Sequence, residues 1–182
     1  MKKELSRTER QDMEAYVQHS MNIGQLPSFI RNNRTSQPIL YRGIQLHQSE
    51  FYVGATFSHW EELLSCSSEL EVAENFATMS GDIPEDALED QIRKLGKNPG
   101  NTDDYNTVYD GYQPVVFFIH GAQGVRLLDY LADEYEFAWE EEVVILNEPL
   151  VVTSIRKKED ALGATYWILD VDVKELIEKR PA

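Results

Sequence analysis

Hydrophobic residues near the start of the chain recur at the spacing of an amphipathic helix. Four of them between residues 13 and 21 share one helical face, and Ser6 and Glu9 ahead of them have the spacing of a capping box. This pattern predicts a helix of about four turns. Pro27, with an apolar pair at residues 29–30, predicts a second short helix.

From residue 38 onward the hydrophobic residues fall into short β-like runs separated by glycine, asparagine and proline turns. These runs are residues 38–44, 51–57, 62–67, 115–119, 125–128, 143–146, 150–155 and 165–173. A helix is predicted at 69–79, because the apolar residues there share one helical face. Strands and helices do not alternate regularly, so we expect an α+β fold with mainly antiparallel sheets.

Residues 80–113 interrupt this pattern. A short helix is predicted near 84–96, and the stretch after it is rich in glycine, asparagine, aspartate and tyrosine. That stretch is either a mobile loop, such as a lid, or a plain solvated insertion. With 182 residues we expect a single domain, comprising a helical part at 1–37, a core at 38–173 that contains the insertion, and a small helix at the end.

The charge balance narrows the class of partner. The chain has 17 lysines and arginines against 32 aspartates and glutamates, so its net charge is −15. Such a charge repels phosphate backbones, so we expect no direct nucleic-acid binding and favour a basic protein partner. The single cysteine and the lack of an apolar N-terminal stretch favour a cytoplasmic setting, and no run is long enough for a membrane span.

Arg42 lies in the predicted strand at 38–44, where alternation places it on the same face as Leu40 and Ile44. An arginine on an apolar face either extends to the surface or points inward toward an anion. In the second case its guanidinium fork suits a phosphate or a carboxylate. For this residue alone, both interpretations stay open.

Serines cluster where the third β-like run meets the helix that follows it. Alternation puts Ser65 and Ser67 on one face and Cys66 on the other, so two hydroxyls are available to a carboxylate or a sugar. Capping of the helix by Ser68 is a simpler explanation, and it does not exclude a site at Ser65. Cys66 is more readily a small buried side chain than a nucleophile, because no histidine is near it in the sequence.

Three consecutive glutamates at 140–142 run directly into an apolar strand. A solvated surface is the ordinary explanation of such a triplet. Strand alternation would place Glu140 and Glu142 on one face, about 7 Å apart, and two like charges at that distance need a reason to persist. A site that stabilises a cation supplies one, because a carboxylate binds a developing oxocarbenium ion more tightly as its charge grows.

The segment that leads into the triplet is both acidic and aromatic. Residues 129–142 hold seven acids and no lysine or arginine, and Tyr135, Phe137 and Trp139 are interleaved with the acids. The segment is either a charged hairpin tip or a loop that recruits a cationic side chain by charge and cation–π contact. No Walker loop, paired cysteine motif or clustered histidines occur, so no metal is expected.

Taken in order, these motifs resemble the R-S-E class of mono-ADP-ribosyltransferases. The resemblance rests on the aromatic-Arg-Gly strand at 41–43, the serine-rich strand at 65–67 with a helix behind it, and Glu-x-Glu before an apolar strand at 140–142. It covers residues 38–173, with Cys66 in place of the usual threonine. The size of the chain and the lack of a secretion signal make it similar to the phage Mod-type enzymes, which would place it in a host cytoplasm.

The resemblance implies two packed, mainly antiparallel sheets flanked by N-terminal helices, with NAD in the cleft between the sheets and no metal. Arg42 would hold phosphate or ribose oxygens of NAD, and Gly43 would let the backbone approach the cofactor. Ser65 would orient Glu142, and Ser67 would brace the ribose next to nicotinamide.

The resemblance also implies the reaction. Glu142 would bind that ribose and stabilise the oxocarbenium ion as nicotinamide leaves, while Glu140 would position the incoming nucleophile and take its proton. In this family a glutamate at the position of Glu140 goes with arginine acceptors. Tyr135, Phe137, Trp139 and Glu140 would recognise the substrate, which is expected to be a basic protein with an accessible arginine.

Two alternatives stay open. An NAD glycohydrolase, which passes ADP-ribose to water, would use the same Glu142. A protein without catalytic activity, whose acidic surface binds and blocks a basic host factor, would explain the charge without any active site.

Overall fold

The structure is a computed structural model of the chain, and it describes residues 4–18, 20, 22–58, 62–78, 112–131, 138–159, 163 and 165–174. The predicted helix near 84–96, the loop after it and the C-terminal helix lie outside the described residues. Within the described ranges, none of the helices has both the length and the apolar character that crossing a bilayer requires.

Three α-helices occur in the described ranges, each close to a predicted one: α1 Arg7–Val17, α2 Leu26–Asn33 and α3 Leu70–Thr78. The predicted capping box is present, because Ser6 and Glu9 bond each other's backbone N–H groups. Helix α1 ends sooner than predicted. The Asp12 carboxylate accepts the N–H of Gln25, 2.9 Å away, and this bond holds the chain where it turns from α1 toward α2.

Nine strands occur in the described ranges; eight lie at the eight predicted runs, and the first, which has two residues, lies where no run is predicted. They are β1 Thr35–Ser36, β2 Leu40–His47, β3 Thr56–Phe57, β4 Leu63–Ser67, β5 Tyr112–His120, β6 Gln123–Arg126, β7 Glu142–Leu146, β8 Leu150–Glu159 and β9 Thr165–Val173. The prediction of a strand over 51–57 is wrong except for its last two residues. Ala55 donates its N–H to the carbonyl of Tyr52, and Gly54 has a φ of +92°, so the chain makes a turn there instead.

The described strands form one sheet in the order β1-β6-β7-β4-β2-β5-β9-β8-β3, antiparallel throughout except for β5 with β9. A single residue pair, Tyr41 with Ser67, joins β2 to β4. The sheet therefore consists of a first half-sheet (β1, β6, β7 and β4) and a second half-sheet (β2, β5, β9, β8 and β3).

The two half-sheets share a hydrophobic core. Leu64 and Ile145 from the first half-sheet belong to the same buried cluster as Phe117 and Leu169 from the second. Helices α1 and α2 cover the other face of the first half-sheet, and α3 covers the other face of the second. The prediction of an α+β fold with mainly antiparallel, packed sheets and N-terminal helices on one flank is confirmed.

Gly43 on β2 faces α3 at very close range. A Cβ built at this position would lie 1.8 Å from the carbonyl oxygen of Ala73 and 2.7 Å from the backbone nitrogen of Ala77. Helix backbone cannot move aside as a flexible side chain can. The glycine is therefore required by the packing of α3 on the sheet, whatever its distance from a cofactor.

We expect Gly43→Ala to destabilise the protein by about 2–3 kcal/mol, because the methyl group must push α3 off the sheet. Urea denaturation followed by circular dichroism measures this loss. Gly54→Ala is the comparison, since its Cβ would meet no atom within 4 Å and the positive φ alone should cost about 1 kcal/mol. A Gly43→Ala protein as stable as the wild type would contradict the close approach.

Candidate active site

The candidate site lies where β2 and β4 separate beyond their single shared pair. Arg42 follows Tyr41 on β2, and its side chain is half-buried rather than extended into solvent. Its Nη1 donates a hydrogen bond of 2.6 Å to the backbone carbonyl of Ser65 on β4. The guanidinium thus bonds a β4 carbonyl at a position where β2 does not pair with that strand. The guanidinium is therefore turned toward the sheet junction, where its partner is a backbone carbonyl, and the expected anion stays a prediction.

Ser65 and Glu142 meet across the pair β4–β7. The Ser65 hydroxyl donates to Glu142 Oε1 over 2.5 Å, a distance typical of a hydrogen bond to an ionised carboxylate. Glu142 begins β7 and is 7 % exposed, so it is a buried acid and not part of a solvated acidic surface. The serine that binds it is half-buried. Arg42, Ser65 and Glu142 therefore converge on one place, as the sequence motifs predict.

A fourth residue of this site, Tyr16 on α1, was not among the predicted site residues. Its hydroxyl donates to the same Glu142 Oε1 over 2.9 Å. Burial and the nearby Glu142 charge raise the pKa of Tyr16 well above its usual value, so the hydroxyl remains a donor. From the sequence Tyr16 belongs to the apolar face of a helix. The one available signal is that a buried tyrosine hydroxyl needs a partner, and the sequence does not say which.

The turn that carries the glutamates differs from the predicted strand. Residues 138–140 form a 3₁₀ turn, Glu141 has a left-handed φ of +46°, and β7 begins only at Glu142. The expectation that Glu140 and Glu142 lie on the same face of one strand is therefore wrong. A left-handed residue between them breaks the alternation, and backbone of this kind is uncommon outside glycine.

Contacts from β4, from the residue after it and from β6 hold this turn. The buried Ser67 hydroxyl donates to the Glu140 carbonyl over 2.6 Å, and the Ser68 N–H donates to the Glu141 carbonyl over 3.2 Å. The Glu141 carboxylate forms an ion pair with Arg126 on β6. Ser67 thus bonds the backbone next to the site, while Ser65 bonds the carboxylate itself.

Trp139 lies directly before Glu140 and is partly exposed. Its ring stacks on Phe76 of α3, with 6.2 Å between the ring centroids and 12° between the ring planes. This contact ties the 3₁₀ turn at 138–140 to the helix that follows β4. The other two predicted recognition residues, Tyr135 and Phe137, lie outside the described residues.

Cys66 lies between the two serines, but its side chain belongs to the core shared by the half-sheets. Burial raises the pKa of Cys66 to about 12, and the charge of Arg42 only partly opposes this. The thiol is therefore protonated at neutral pH and is a poor nucleophile. The interpretation of Cys66 as a small buried side chain agrees with its position.

We expect native Cys66 to resist alkylation by iodoacetamide even at about pH 9, where an ordinary thiol with a pKa of ~8.5 is mostly ionised. The same protein in denaturant should react completely, and mass spectrometry measures both extents. Because the folded pKa is raised, the contribution of this thiol to stability is full below ~8.5 and falls as pH rises toward 12. Rapid alkylation of the folded chain would show that Cys66 is reachable and ionised.

The chemistry available at this site centres on one buried carboxylate. Two hydroxyls donate to Glu142 Oε1, and the guanidinium of Arg42 bonds the carbonyl of the serine that supplies one of them. A carboxylate held in this way can stabilise a positive charge that develops on a bound molecule. In the described part of the chain, no group of three or more histidines, cysteines, aspartates or glutamates is placed to hold a metal ion.

Comparisons with known proteins give similarity at the level of solved structures. No family model and no curated protein matches the chain. Exoenzyme S from Pseudomonas aeruginosa, solved with human 14-3-3 protein beta and carba-NAD, is similar over 94% of this chain and 71% of its own, with 11% identity and a TM-score of 0.46.

A second similar structure is the ADP-ribosyltransferase HopU1 of Pseudomonas syringae. The similarity covers 93% of this chain, with 11% identity and a TM-score of 0.39. The chain spans 61% of the length of HopU1. Both TM-scores lie below 0.5, so these similarities do not by themselves decide what the protein does.

Proposed function

We propose that this protein is an NAD-dependent mono-ADP-ribosyltransferase that transfers ADP-ribose to arginine side chains of a basic target protein. The observation that carries the proposal is the convergence of Arg42, Ser65 and Glu142. Arg42 bonds Ser65, which is 23 residues away in the sequence, and Ser65 bonds Glu142, which is 77 residues away. An R-S-E motif set requires these three groups to meet. Chance matches to three short motifs would have no reason to do so.

Glu142 supplies the main catalytic effect in this proposal. When the bond between nicotinamide and ribose breaks, nicotinamide takes the bonding electrons and positive charge grows on the ribose. The fixed carboxylate attracts that charge more strongly in the transition state than in the ground state. Its burial supports this role, because a charge pair interacts more strongly where water is excluded.

The other residues of the site have roles in holding NAD and in positioning Glu142. Arg42 presents a guanidinium, which is suited to the phosphate oxygens of NAD, close to Ser65 and Glu142. Ser65 orients Glu142, and Ser67, which bonds the Glu140 carbonyl, keeps the glutamate turn in place beside the ribose. NAD is a substrate here and no metal takes part.

The acceptor side is assigned to the turn before β7. Glu140 takes one proton from the acceptor guanidinium as its nitrogen bonds to the ribose, so that the product keeps the single delocalised charge of a substituted guanidinium. Trp139 is partly exposed beside Glu140, and an indole ring can bind a guanidinium by cation–π contact. The net charge of −15 favours a basic target, and Tyr135 and Phe137 belong to the same recognition segment.

The first test removes the central charge. Glu142→Gln keeps the size of the side chain and should lower NAD turnover by about 100-fold or more, because transition-state stabilisation is lost. Release of nicotinamide from NAD measures it. Glu148→Gln is the matched control, since Glu148 also accepts a hydrogen bond from a positioned side chain, Arg34, 2.8 Å away.

The outcomes of this test separate two classes of protein. Full turnover by Glu148→Gln with loss in Glu142→Gln supports an enzyme that uses Glu142. No NAD turnover by the wild type, together with unchanged binding of a basic protein by both variants, would leave only a non-catalytic acidic binder.

The second test concerns the acceptor. Glu140→Gln should stop the labelling of arginine in lysate proteins by labelled NAD, while nicotinamide release continues within about tenfold of the wild-type rate, because proton removal from the acceptor is lost and Glu142 is retained. Hydroxylamine-sensitive protein labelling measures the transfer. Undiminished arginine labelling would contradict the role of Glu140, and nicotinamide release without any labelling in the wild type would indicate a glycohydrolase.

A further inference from the structure

Tyr16 brings helix α1 into the candidate site, and we propose that it is a positioning residue for the Glu142 carboxylate. This inference rests on the proposed function, because it assigns Tyr16 a part in the chemistry of Glu142. A hydroxyl from the N-terminal helix and a hydroxyl from β4 bond the same oxygen of the same buried carboxylate.

Two donors on one oxygen restrict the carboxylate more than either does alone. The last torsion of a glutamate side chain is broad, so a carboxylate held by one hydrogen bond can still rotate about that contact. Ser65 approaches Glu142 Oε1 from the neighbouring strand and Tyr16 approaches it from the covering helix. Bonds from two elements together narrow the orientations open to the carboxylate, as a group that must meet a developing charge requires.

The position of the Tyr16 hydroxyl is itself set by the core. Met13, one turn earlier on α1, is fully buried with Leu26 and Ile30 of α2 against Val144 of the first half-sheet. The ring of Tyr16 packs against the same cluster. Helix α1 is thus anchored on the sheet on the side from which the hydroxyl reaches Glu142. A helix that served only to cover apolar surface could carry phenylalanine at this position.

Another tyrosine hydroxyl that bonds a carboxylate serves as a control for a purely structural role of Tyr16. Tyr166 on β9 donates its hydroxyl to the carboxylate of Glu74 on α3, the same pair of chemical groups in another part of the molecule. Tyr166 is fully buried, while Tyr16 is only half-buried. Loss of either hydroxyl removes one hydrogen bond to a carboxylate, but only Tyr16 bonds the acid of the proposed site.

The experiment compares Tyr16→Phe with Tyr166→Phe in the nicotinamide-release assay, with the wild type and Glu142→Gln alongside. Tyr16→Phe should lower kcat by about tenfold and change KM for NAD by less than about twofold, because orientation of the carboxylate affects the transition state more than binding. Tyr166→Phe should leave kcat within about twofold. Urea denaturation of both variants checks that each one folds and measures the stability that each one loses.

A double variant keeps the test sharp. If Tyr16 and Ser65 orient one oxygen together, the loss in Tyr16→Phe/Ser65→Ala should differ from the product of the two single losses, because residues that act on one group are not independent. Multiplicative losses would argue against a shared role.

Each outcome bears on one of the two claims. Wild-type turnover that Glu142→Gln abolishes, with an unchanged kcat in Tyr16→Phe, overturns the positioning role and leaves the proposed function standing. A higher kcat in Tyr16→Phe also overturns it, since Tyr16 would then obstruct the carboxylate. A wild type that does not turn over NAD overturns the proposed function and this inference with it.

Discussion

The two half-sheets are hydrogen-bonded to each other through one residue pair, Tyr41 with Ser67, and the strands diverge on leaving it. A strand that loses its neighbour leaves backbone carbonyls that need other partners. Arg42 supplies one for Ser65, and it does so with a charged group that is half-buried at the junction. The divergence therefore brings a guanidinium, a serine and the start of β7 together, and the candidate site depends on it.

Burial of Glu142 is the second constraint. A carboxylate that is removed from water costs folding free energy unless donors replace the lost solvent. Here the hydroxyls of Ser65 and Tyr16 are those donors, and they come from the strand that pairs with β7 and from helix α1. A protein that needs only a core has no use for a buried acid with two hydroxyls held on one of its oxygens. Such an arrangement is what a site requires when the charge itself is to act on a bound molecule.

Much of the fold could be predicted because its signals are local. The capping box at Ser6 and Glu9, the proline near the start of α2 and the alternating or apolar runs of most strands depend on neighbours a few residues away. The two predictions that were wrong failed because of the backbone conformation of a single residue. Gly54 turns the chain within a run whose pattern predicts a strand. The left-handed backbone of Glu141 interrupts the strand alternation between Glu140 and Glu142. Neither backbone angle is dictated by the residue type alone.

The order of residues by itself determined the element types, the α+β class and the identity of three site residues, because helix caps, periodicity and motif spacing are properties of short segments. It also placed Cys66 on the core face of β4. Only the tertiary structure decided that Arg42 points inward, that α3 packs closely enough to require Gly43, and that Tyr16 shares an oxygen of Glu142 with Ser65. Tyr16 and Glu142 are 126 residues apart, and their contact exists because α1 packs on the first half-sheet. No local pattern encodes which distant acid a buried hydroxyl will meet, since that is set by how the layers pack.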